Sequence, residues 1–161
     1  MSLQDFYSLL PEKKQYELSI KLLQISIPIW NDFSNKKTNL EYVDTVVGME
    51  HKVAKDIIQR TLDVALKEIS KPKSKTIEIT NLKNEYRDPI VSLQDWDWEI
   101  PESVQLIFYS ANNLIESLSG KKETFNGETM IYISANQSID AITREKIKTF
   151  SEINSFLKEN K

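Results

Sequence analysis

"PESVQLIFYSANNLIESLSG", residues 101 to 120, decides the fold class. Val104, Ile107, Phe108, Ala111, Leu114, Ile115 and Leu118 recur at three- and four-residue spacing, the stripe of a core-facing α-helix. Pro101 and Glu102 have the character of a first helical turn, where proline forfeits no needed hydrogen bond. Gly120 is a natural stop.

The same period appears on both sides of this segment. Toward the N-terminus, Val53, Ile57, Ile58, Leu62, Ala65, Leu66 and Ile69 predict a helix from about Glu50 to Ile69, opposite Lys52, Lys55, Asp56 and Arg60. Pro11 and Glu12 open an earlier helix, in which Leu18, Leu22, Ile25 and Ile29 form the stripe and Leu23 and Ile27 widen it. Pro28 is expected to kink or end that helix. Thr38 and Glu41 have capping-box spacing and predict a short helical turn. "SKPKSK" reads as a linker. "TIEITNLKNEYRDP", residues 76 to 89, alternates like a strand over its first five residues, while Ile79, Leu82 and Tyr86 space like a helix; the helix is favoured. Toward the C-terminus, Ile131, Ala135, Ile139 and Ile142 predict another helix, and Ile147, Phe150, Ile153 and Leu157 a final one or its continuation. The expected fold is all-α, a single-domain bundle of five or six helices over residues 1 to 161.

Composition narrows the chemistry. The chain has 161 residues, enough for one substantial core, and 40% hydrophobic with 28% charged residues is the balance of a folded domain. Three glycines are too few for a sandwich or a doubly wound sheet, and their placement excludes a phosphate-binding glycine loop. The absence of cysteine removes disulfides, thiolate catalysis and cysteine-ligated metals. A net charge of −3 argues against a nucleic-acid partner. The N-terminal residues lack a signal-peptide pattern, and the longest uncharged run is about half a membrane span, so a cytoplasmic location away from membranes is expected. His51, the sole histidine, reads as a surface or helix-end residue without catalytic partners. Two carboxylates among the 24 acids could act in catalysis, but no spacing selects them. Lys71, Lys73 and Lys75 read as a solvated loop.

One stretch stands apart: "SLQDWDWEIPESV", residues 92 to 104. As a calcium loop beginning at Asp95 it fails, because the sixth position is Ile100 where glycine is required and the twelfth is Leu106 where glutamate is required. No metal or other cofactor is expected. A period of two would place Trp96 and Trp98 on one side, plugging the core, with Asp95, Asp97 and Glu99 in water and favouring the positive end of the next helix. The sharper expectation is a partner-binding patch of Asp95, Trp96, Asp97, Trp98, Glu99 and Glu102, an acidic rim around a tryptophan.

Four stretches resemble the YjaG-like family of small helical bacterial proteins of unknown function. They are "PIWNDF" (28 to 33), "QRTLDVALKEI" (59 to 69), "QDWDW" (94 to 98) and "FYSANNLIESLSGK" (108 to 121). The resemblance spans residues 8 to 143, departs in the lack of cysteine and at the polar "NQS" of 136 to 138, and implies a helical bundle without assigned catalytic residues. At the level of class, small acidic helical proteins also resemble the immunity proteins that neutralise bacterial toxins. The expected function is therefore non-enzymatic protein binding, with a cognate toxin domain as the leading partner. A housekeeping YjaG-like role and a carboxylate enzyme are the alternatives. Either a monomer or a homodimer seamed by Phe150, Ile153 and Leu157 is compatible with the pattern.

Overall fold

In the computed structural model, residues 1–70, 76–124 and 126–161 are described. Among them the helices are α1 (Leu3–Ser8), α2 (Glu12–Asn35), α3 (Ile57–Ser70), α4 (Ile77–Gln94), α5 (Glu102–Leu118), α6 (Met130–Arg144) and α7 (Phe150–Glu159). Between α2 and α3 runs an antiparallel hairpin of β1 (Leu40–Val43) and β2 (Glu50–Val53). The fold is thus mainly α, as expected, but with seven helices and a small sheet. No helix among the described residues is long and apolar enough to cross a membrane.

α5 is the centre, and six of its seven stripe residues are buried, with Leu118 partly so. Its neighbour α6 approaches closely because both contact faces are built from small residues. The Ser110 hydroxyl donates to the Ser134 carbonyl at 2.7 Å, and the Ser134 hydroxyl donates to the Ser110 carbonyl at 2.8 Å. A serine oxygen lies one bond beyond Cβ, so reaching the opposite backbone in both directions requires two backbones in near contact. Ser138 completes the cluster, 2.7 Å from the Ser110 hydroxyl, and every buried hydroxyl in it is paired. On α5, Ser103, Ser110 and Ser117 recur every seventh residue and are all buried.

α2 buries two sides. Tyr16, Ile20, Leu23 and Trp30 join the main core with α3, α4 and α5, while Leu18 and Leu22 join a second core with α1, α6 and α7. Its helix does not end at Pro28 but runs on to Asn35. The turn after the proline seats Trp30, fully buried, with its indole N–H donating to the Lys55 carbonyl at 2.8 Å. Burying a tryptophan is worth on the order of 5 kcal/mol, more than the roughly 3 kcal/mol an interior proline costs.

The segment before α3 is corrected by the structure. Leu40 and Tyr42 point inward at strand period and pair with Val53 and His51, so in place of the helical turn expected from Thr38 to Glu41 the chain enters β1 at Leu40. The helix expected from Glu50 begins at Ile57. Val53 fits the helical stripe only because an inward strand residue lies four positions before Ile57. His51 accordingly stands on a strand, half-buried, its ring stacked 5.0 Å from Tyr42. Of residues 76 to 89, Thr76 is the extended N-cap and the rest are helical, within α4. α7 is a separate helix, set off from α6 by Lys146 in the left-handed region. Of the suggested dimer seam, Ile153 and Leu157 are spent in the second core and Phe150 is exposed. Lys71, Lys73 and Lys75 lie outside the described residues.

Candidate partner-binding surface

α4 ends inside the acidic tryptophan motif. Asp95 caps it, and the Asp97 N–H reaches back to the Ser92 carbonyl at 2.9 Å, the six-to-one bond of a helix closed by a left-handed residue. That residue is normally glycine. Here it is Trp96, at φ +64°, in a region that costs a residue with a Cβ about 1–2 kcal/mol. The left-handed step breaks the period of two, so the two tryptophans part company. Trp98 is 5% exposed, stacked on Tyr42 at 5.5 Å and edge-on to Phe108 at 5.4 Å. Trp96 is 77% exposed.

The acids also differ from expectation. Asp95 and Asp97 stand at the negative C-terminal end of α4, where a carboxylate is disfavoured, rather than in the first turn of α5. Glu102 does occupy that first turn, and its carboxylate is taken by Arg144 at 2.9 Å. The structure brings Asp95, Trp96, Asp97 and Glu99 to one exposed or half-exposed turn. It sets Trp98 in the core and Glu102 in an α5–α6 ion pair.

Asp97 ties this turn to the tip of the hairpin. The Thr45 hydroxyl donates to Asp97 Oδ1 at 2.6 Å, and the Thr45 N–H donates to Oδ2 at 3.4 Å. The tip is folded over Asp44, whose Oδ1 accepts the N–H groups of Val46 (2.8 Å) and Val47 (3.1 Å). Gly48, at φ +68°, reverses the chain and donates to the Asp44 carbonyl at 2.7 Å. With the backbone satisfied by its own aspartate, the side chains are left outside: Val46 is 87% exposed, and Val43, Val47 and Met49 are also in solvent. Thr45 therefore fixes Val46 on one side of the bond and Trp96 on the other, each one residue from the anchor. The two segments that meet here, residues 40–53 and 95–99, carry six carboxylates (Glu41, Asp44, Glu50, Asp95, Asp97 and Glu99) and one lysine, Lys52, which is paired with Glu41 at 3.3 Å.

The sequence reading missed Val43, Thr45, Val46, Val47 and Met49. The usable signal was "DTVVG", an aspartate and one of only three glycines bracketing two valines that belong to no stripe.

Behind the hairpin, a cavity of about 220 Å³ is lined by Tyr42, His51, Asn84, Glu85 and Asp88 among others. Burial pushes the Tyr42 hydroxyl above the usual tyrosine range, and the hydroxyl is buried without a hydrogen-bond partner. Glu85 and Asp88 are the acids here, and both oxygens of Glu85 are gripped by the Arg60 guanidinium at 2.8 and 2.7 Å. Among the described residues no three His, Asp or Glu side chains are grouped to hold a metal ion.

No protein family, no curated protein and no solved structure matches the chain. The YjaG-like resemblance accordingly rests on its four short motifs.

Proposed function

We propose that the chain is a non-enzymatic protein-binding module that engages a basic partner through Trp96, the hairpin-tip residues Val46, Val47 and Met49, and the carboxylates of Asp95, Asp97 and Glu99. The observation that carries this reading is Trp96 itself: exposed, in a conformation suited to glycine, between two acids at the wrong end of a helix dipole. The left-handed backbone at Trp96 and the placement of Asp95 cost local stability, Asp97 alone being repaid through Thr45, and such residues cluster where function requires them. An exposed aromatic anchor beside apolar neighbours and inside a charged rim is the composition of a binding hot spot. Within this class an immunity role is favoured, because there binding alone is the activity, and an acidic surface suits a basic toxin domain. A cytoplasmic location accompanies that role.

The test is photo-cross-linking in the host cell from a benzophenone amino acid placed at position 46, 96 or 77. Ile77 is an exposed control at the far end of α4. The same basic protein should be captured from positions 46 and 96 and not from 77. Capture of unrelated species at 46 and 96, or equal capture from 77, would overturn the assignment.

A further inference from the structure

A second surface lies along α4, where a groove of about 560 Å³ opens between that helix and the α5–α6 pair. Three cations line it, Lys83, Arg87 and Lys121, against one carboxylate, Glu116, in a protein whose overall charge is −3. Glu116 is committed to Lys83 at 3.4 Å. Among the described residues, Arg87 and Lys121 have no carboxylate within ion-pair distance, so the groove carries uncompensated positive charge.

The walls are chosen as well as charged. Asn112, Asn113 and Gln137 line the groove, with Asn113 donating to the Gln137 side-chain carbonyl at 2.8 Å. Side-chain amides offer donors and acceptors together, the complement of a peptide backbone. A phosphodiester chain presents acceptors and would leave the amide oxygens unused. Ile90, Val91 and Ile133 add apolar surface to the lining, with Val91 half in solvent. From Lys83 to Gln94 the α4 wall is about 16 Å long at 1.5 Å per residue. That is the length of roughly five residues of extended chain.

We propose that this groove binds an extended acidic peptide segment of about five residues, its carboxylates meeting Arg87 and Lys121 and its backbone meeting the amides. The groove ends at Gln94, beside the Trp96 surface, but shares no residue with it, and the proposal does not depend on that reading. The probe is fluorescein-labelled Glu-Val-Glu-Val-Glu, read by fluorescence anisotropy against the full chain, with Lys-Val-Lys-Val-Lys and a ten-nucleotide oligothymidylate as comparisons. Binding of the acidic peptide should saturate, weaken several-fold between low and high salt, and fall at least tenfold in Arg87→Glu/Lys121→Glu. Both side chains are exposed, so the variant should keep the wild-type far-UV circular dichroism. Trp96→Ala should bind the peptide as wild type does. Failure to saturate, equal binding of the lysine peptide, or tighter binding of the oligonucleotide would overturn the proposal, the last in favour of a phosphate-binding groove.

Discussion

Replacing Trp96 in two ways separates backbone strain from side-chain contact. Trp96→Ala and Trp96→Gly both delete the indole, so whatever the mostly exposed ring contributes cancels between them. What differs is the Cβ at φ +64°. Alanine retains the left-handed penalty of about 1–2 kcal/mol. Glycine escapes it but loses roughly 0.4–1 kcal/mol through its freer unfolded chain. At the midpoints of these ranges the balance favours Trp96→Gly over Trp96→Ala by about 0.8 kcal/mol, which in a chain of this size is on the order of 2–3 °C in Tm. In a helix interior the order would be reversed by about 1 kcal/mol. Urea denaturation followed by circular dichroism, with the buried Trp30 and Trp98 as fluorescence reporters, measures the difference directly. If the alanine variant equals or exceeds the glycine variant, Trp96 is not held in the left-handed region and the strain argument for function fails.

Ser110→Leu forces a branched side chain between two backbones in contact and orphans the Ser134 and Ser138 groups; a loss of about 3 kcal/mol or more is expected in urea melts, and tolerance within 1 kcal/mol would mean α5 and α6 are not so close. Glu152 is held below the ordinary carboxylate range, chiefly by the Thr149 backbone N–H at 2.7 Å and then by its hydroxyl at 2.9 Å. Because its folded value is depressed, the stabilisation is full above the unfolded value near 4.5 and is lost as pH falls through the lower folded value. Hydrogen exchange should show α7 loosening through that acid window in the wild type and no such step in Glu152→Gln. Thr45→Val cuts the tie to Asp97 at an exposed site, so Tm should move by less than about 1 °C while Val46 and Val47 amide exchange accelerates several-fold; unchanged exchange would mean the tip does not need the tie.

The helices were legible wherever one face alone is buried. α5 reads cleanly because its stripe is continuous and its proline and glycine mark both ends. α2 read past its proline only in the structure, since the worth of Trp30 depends on Phe108 and Lys55, neither of which is local. The hairpin escaped because each strand has four residues, too few for alternation to compete with a helical stripe that Val53 completed by coincidence. The serines carried no signal as polar residues, although the seven-residue spacing of Ser103, Ser110 and Ser117 was present on α5. At the candidate surface, tryptophans and acids could be picked out by composition, but which tryptophan faces solvent was decided by a single backbone torsion at Trp96. The apolar tip was invisible beside it, because Thr45 and Asp97 lie 52 residues apart.

The most direct measurement is the equilibrium affinity of the cross-linked partner, once purified, for the wild-type chain, Trp96→Ala and Ile77→Ala. A hot-spot anchor is worth at least about 2 kcal/mol, so Trp96→Ala should weaken binding roughly 30-fold, mostly through faster dissociation, while Ile77→Ala stays within about twofold. Binding by Trp96→Ala within twofold of wild type would show that Trp96 is not the anchor of the surface.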